Sequence, residues 1–167
     1  MKLRKMARCA MLAALMAVCA WISVPMGELA VSLQSFALFL TLGLLGGRLG
    51  SVTVLVYLLL GAAGAPVFTG FRGGIGAVLG PTGGYLWGFL GAALVYWALE
   101  KRLPQWLGMV AGMAVCYTCG TVWYSFAYGQ GQLWPVLMTC VVPYLIPDAI
   151  KIVLALPLSQ RLKKLVM

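Results

Sequence analysis

Six apolar runs, each nearly free of charge, constrain this chain more than any other feature: roughly residues 7–26, 33–47, 51–67, 81–99, 106–127 and 134–160. A helix needs about 20 apolar residues to cross a hydrocarbon layer about 30 Å thick, so runs of this kind are read as membrane spans. The second run is short for a full crossing. The last is long and carries Pro135, Pro143, Pro147 and Pro157, which predicts a kinked or broken helix. Hydrophobic residues make up 63% of the chain and charged ones 9%. A soluble fold of 167 residues cannot enclose that much apolar surface and still cover itself with polar groups. The expected fold is all-α, an integral membrane bundle of six transmembrane helices.

Cations set the orientation, because loops rich in Lys and Arg tend to stay in the cytoplasm. With both termini cytoplasmic, the inner segments hold Lys2, Arg4, Lys5, Arg8, Arg48, Lys101, Arg102, Arg161, Lys163 and Lys164. The outer loops hold Arg72, and Lys151 lies within the last run. The basic residues before the first run resemble the start of a secretory signal, but the segment after Trp21 offers no small-x-small cleavage site, so the run is read as a retained helix. The net charge of +9 is dispersed over helix ends instead of one aromatic-studded face. That pattern argues against nucleic acid as a partner and suits a lipid bilayer with anionic headgroups.

Small residues give the packing signals. Ala10, Ala13, Ala14, Ala17 and Ala20 follow helical spacing in the first run, forming a strip about 120° wide at about 100° per residue. Such a strip suits either a partner helix or a neighbour inside the bundle. Gly76, Gly80, Gly84 and Gly88 form a second strip, and the GPTGGY segment within it lacks the Lys-Ser/Thr ending of a phosphate loop. Cys116 and Cys119 form a C-x-x-C pair. In mid-span they read as small hydrophobes, with an intramembrane thiol oxidoreductase as the alternative from a different functional class. With no histidine in the chain and the other cysteines scattered, no metal site or cofactor is expected.

Charged side chains at membrane depth cost about 2.5 to 3.5 kcal/mol each on insertion scales, so they mark cavities or partners. Asp148 and Lys151 share a helical face in the last run, with Tyr144 one turn earlier. Pro147 suits a first helical position, which would set Asp148 at the positive end of the helix dipole. A pair that only neutralises itself is the competing reading, although two apolar residues would pack there without a desolvation penalty. The glycine-rich segment from Gly64 to Tyr85 supplies Phe68, Phe71 and Tyr85 as flat apolar walls and Arg72 as a partner for a carboxylate. Gln34 and Thr41 add polar groups to the same expected cavity.

Several separated motifs resemble, in order, those of the BioY family, the biotin-specific S components of energy-coupling factor (ECF) transporters. They are AWISVP (20–25), SLQ (32–34), GGRLG (46–50), GAAGAPVF (61–68), GPTGGY (80–85) and PDAIK (147–151). The resemblance covers nearly the whole chain. It implies a single substrate-binding domain over residues 1–167, in a bacterial plasma membrane, that captures biotin at the outer side. It implies as partners a membrane-embedded T component and two ATP-binding ATPase subunits, with no catalytic residues in this chain. It also implies that Asp148 and Lys151 belong to the biotin pocket and that Ala10, Ala13, Ala14 and Ala17 face the T component. Phe68, Thr69 and Arg72 join the pocket on the same ground.

Biotin suits these residue types. Its ureido ring offers two N–H donors and a carbonyl acceptor, and its tail ends in a carboxylate, so Asp148 can accept ureido N–H bonds. Either Lys151 or Arg72 can meet the carboxylate or the carbonyl. An S component for another small vitamin is the nearest alternative.

Overall fold

The computed structural model describes residues 2–26, 29–128, 131 and 133–166. In chain order these form α1 (Lys2–Trp21), β1 (Ser23–Met26), β2 (Leu29–Ser32), α2 (Gln34–Ala62), α3 (Ile75–Val78), α4 (Gly83–Leu99), α5 (Gln105–Ala127), α6 (Leu133–Cys140) and α7 (Val142–Val166). The fold is helical except for the β1–β2 hairpin, an antiparallel pair with Ser23 opposite Ser32, which adds to the all-α expectation. Among the described residues α5 and α7 are each long and apolar enough to cross a membrane, α2 reaches that length only by joining two helices across a kink, and α4 is a shorter apolar helix. Large apolar side chains such as Phe126, Trp134 and Ile146 point outward, as they do where lipid is the solvent.

α2 holds the second and third apolar runs in one helical element, but it is not a rod. Gly46 has φ 74° and ψ 173°, a conformation open to glycine because it lacks a Cβ. The chain folds back there. Gln34 Nε2 donates to Tyr57 Oη at 2.8 Å, although 23 residues of straight helix would hold the two about 34 Å apart. Residues 34–45 and 47–62 are therefore two antiparallel arms. Glu100, at the end of α4, accepts the Gly47 N–H at 2.5 Å and so caps the second arm. A side chain at Gly47 would strike the backbone of Trp97, which explains a second glycine next to the turn.

The last apolar run is broken, as its prolines predict. The break falls at Val141, between α6 and α7, where Pro143 has no N–H to continue the hydrogen-bond ladder. Pro147 is not at a first helical position, contrary to the sequence expectation. It lies inside α7, because the helix already begins at Val142, and Asp148 follows more than one turn from the start.

Glycine governs the α4–α5 seam. A Cβ on Gly84 would meet Trp123, one on Gly88 would meet the Cys116 backbone, and one on Gly120 would meet the Tyr85 ring. The Gly76–Gly88 strip is thus only half a helix face: Gly76 belongs to α3 and Gly80 to the turn before α4. The buried core centres on α2, packed among α1, α4 and α7, with Met16, Leu38, Leu42, Val54, Tyr57 and Met109 almost fully enclosed. The alanine strip of α1 divides at its edge. Ala13, Ala17 and Ala20 are buried within the chain, so the partner-facing expectation is corrected for Ala13 and Ala17, while Ala10 and Ala14 are exposed.

Candidate ligand-binding site

A cavity of about 340 Å³ lies between the β1–β2 hairpin, the first arm of α2, the loop after α2, and helices α4 to α7. Its volume falls within the range of small-molecule sites, about 300 to 1,000 Å³. Leu38, Phe39, Phe68, Leu86, Phe89 and Met113 form its apolar walls. Polar groups gather at two places, one buried and one at the rim.

The buried group is a closed network. Lys151 Nζ donates to Asp148 Oδ1 at 2.7 Å, to the Ser32 carbonyl at 2.7 Å and to Ser35 Oγ at 3.0 Å. Ser35 Oγ in turn donates to Asp148 Oδ1 at 2.9 Å, and Tyr117 Oη donates to Asp148 Oδ2 at 2.6 Å. The pair has side-chain exposures of 9% for Lys151 and 14% for Asp148. An ammonium has three N–H donors, and all three are engaged; a carboxylate oxygen has two acceptor sites, and Oδ2 retains one. The network joins β2, α2, α5 and α7 around a net charge of zero.

At the rim stands Arg72, exposed and lining the cavity, with no acidic partner among the described residues. Its loop is a tight turn. Phe68 and Arg72 form a β-bridge with the Phe68 N–H donating to the Arg72 carbonyl at 2.9 Å, while Gly70 and Phe71 between them take φ 71° and 57°. For a non-glycine residue this left-handed conformation costs about 1 to 2 kcal/mol. Phe71 stacks on Trp21, centroids 4.9 Å apart and planes at 22°, and Trp21 Nε1 donates to the Pro66 carbonyl at 2.8 Å.

Between the two groups, Gln34 lines the cavity and accepts from Thr69 Oγ1 at 3.1 Å while donating to Tyr57. Tyr85 lines it too and donates to the Cys140 carbonyl at 3.1 Å, and buried Tyr144 completes this side. The structure thus brings Asp148, Lys151, Arg72, Phe68, Tyr85, Gln34 and Tyr144 to one cavity. Thr41 is not among them. It is wholly buried and turns its hydroxyl back to the Ala37 carbonyl at 2.7 Å, a common use of threonine within a helix. Sequence reasoning missed Ser35 and Tyr117. Ser35 adjoins Gln34 at the start of an apolar run, a weak signal; Tyr117 carries none, since an aromatic residue in a span is ordinary.

The fold and cavity are those of a helical membrane protein with an enclosed small-molecule site, which carries a self-neutralising ion pair and an exposed guanidinium at its rim. A profile described as the BioY family matches residues 1–167. A biotin transporter BioY of Thermotoga maritima is 36% identical over 98% of each chain, and a probable biotin transporter BioY of Pyrococcus horikoshii is 36% identical, also over 98% of each. A solved structure of the S component for biotin from an ECF-type ABC transporter superposes with a TM-score of 0.86 at 27% identity, covering 98% of this chain and 92% of that one. The chain belongs to the BioY family.

Proposed function

We propose that this chain is the biotin-binding S component of an ECF transporter: a substrate-capturing subunit, not an enzyme. Family membership over the full length supports the reading, and the distribution of charge around the cavity carries it. The Asp148–Lys151 pair sums to zero and suits a neutral ureido head, for which Asp148 Oδ2 keeps one acceptor site. Lys151 has no donor to spare, so Arg72 is the cation left for the carboxylate. The saturated Lys151 network supports Arg72 over Lys151, the choice left open by residue type alone. The aromatic and aliphatic walls take the fused rings and tail.

The wider reading is a multi-pass protein of the bacterial plasma membrane, one substrate-binding domain with six spans and both termini cytoplasmic. The fold-back at Gly46 supports counting the arms of α2 as two spans. Powered uptake would come from a T component and two ATPase subunits, consistent with the lack of a phosphate loop in this chain, and Ala10 and Ala14 are the part of the alanine strip open to such a partner.

Calorimetric titration of the detergent-purified chain with biotin, riboflavin and thiamine tests the reading, repeated for Asp148→Ala and Lys151→Ala. Saturable binding of biotin in preference to the others, lost in both variants, is the expected result. Preference for another vitamin, or unchanged biotin affinity in folded variants, overturns it.

A further inference from the structure

We propose that Phe71, by stacking on Trp21, is a positioning residue for Arg72 and thereby sets the preference of the site for ligands that end in a carboxylate. The inference deepens the reading above and rests on Arg72 as the partner of the ligand's anionic end.

Phe71 is the single non-glycine residue with positive φ among the described residues. Glycine would hold that turn without strain, and glycine is plentiful on either side at positions 70, 73, 74 and 76. A bulky side chain in such a conformation persists only where its surroundings hold it there. Here the holding contact is the Trp21 ring. Trp21 ends α1 and is itself tied to the same loop through Pro66, so the helix grips the loop at two points five residues apart, at positions 66 and 71. Arg72 is the next residue and is bridged to Phe68.

The rest of the segment is pinned away from Arg72. Tyr57 Oη donates to the Val67 carbonyl at 2.7 Å; Trp123 Nε1 and Tyr128 Oη donate to the Gly80 and Leu79 carbonyls at 3.0 and 3.1 Å. Neither Phe71 nor Trp21 lines the 340 Å³ cavity, and Phe71 is 63% exposed. Its ring therefore acts on a ligand only through the backbone it fixes. A long, flexible arginine side chain captures a carboxylate well when its Cα is held at the rim, because less freedom is lost on binding.

The test compares affinities for biotin and biotinamide, which share rings and differ in the charge of the tail, in the full chain purified in detergent. Wild type is expected to prefer biotin. Arg72→Ala and Phe71→Ala are each expected to lower the biotin-to-biotinamide affinity ratio by about tenfold, and the double variant by no more than the larger single effect, since coupled residues are not additive. Phe71→Tyr, which keeps the stack, is expected to restore the ratio. Phe71→Gly, which relieves the backbone but removes the ring, is expected to match Phe71→Ala.

Saturable biotinamide binding in each variant shows that the site is folded. A lowered ratio in Arg72→Ala with a wild-type ratio in Phe71→Ala or Phe71→Gly overturns the inference alone, as does full additivity in the double variant. An unchanged ratio in Arg72→Ala overturns the underlying assignment of Arg72 as well.

Discussion

Replacing Lys151 with methionine keeps most of the side-chain volume and removes one charge, and the structure states what is then left behind. Asp148 loses the ammonium 2.7 Å from Oδ1, and the Ser32 carbonyl loses a donor at 2.7 Å. Breaking a buried ion pair from one side costs about 3 to 5 kcal/mol, because the remaining charge is uncompensated. The lower end applies here: the pair borders a cavity, and Ser35 and Tyr117 still donate to the carboxylate. A loss of about 3 kcal/mol lowers the melting temperature by about 6 to 12 °C for a chain of this size. Adding Asp148→Asn removes the stranded charge and is expected to recover most of that, leaving about 1 kcal/mol for the unpaired Ser32 carbonyl. Thermal unfolding in detergent, followed by intrinsic tryptophan fluorescence, reads both variants. A single variant as stable as wild type, or a double variant no better than the single, would refute the account of the network.

Thr41→Val is expected to leave biotin affinity unchanged, since its hydroxyl bonds Ala37 outside the cavity; a tenfold loss by calorimetry would return Thr41 to the site. Tyr117→Phe removes a donor to a carboxylate and should lower stability by about 1.5 to 3 kcal/mol, with an unshifted melting temperature as the contrary result. Gly47→Val drives a side chain into the Trp97 backbone and should cost about 1 to 3 kcal/mol through overpacking; wild-type unfolding in this variant would deny the close contact of α2 with α4. The Cys116→Ser, Cys119→Ser double variant is expected to keep saturable biotin binding, and its abolition would reopen a functional role for the thiols.

Hydrophobic run length made the long apolar helices legible, and the boundary expected between the second and third runs, after residue 47, falls beside the reversal seen at Gly46. Asp148 and Lys151 were readable because charge in an apolar run demands a reason. Thr41 misled for a related cause: a hydroxyl in a span either faces a cavity or bonds its own helix, and composition does not distinguish the two. Ser35 and Tyr117 reach Asp148 from 113 and 31 residues away, so their roles exist only once the helices are assembled. The start of α7 was misplaced because Pro147 looked like an ideal first residue, whereas the break is made by Pro143 upstream. The alanine strip gave one periodicity for two destinations, since an angular pattern says which residues share a face and not where burial stops.

The seam between α4 and α5 bears on how the cavity can open. Gly88 lies against the Cys116 backbone and Gly112 against Ala92, while Trp123 and Tyr85 fill the space over Gly84 and Gly120, so the two helices interlock and resist sliding. The opposite boundary is different in kind: there the Lys151 ammonium of α7 holds the hairpin by the Ser32 carbonyl. A polar contact of that kind gives way more readily than interlocked packing, so the hairpin side is the softer boundary of the cavity.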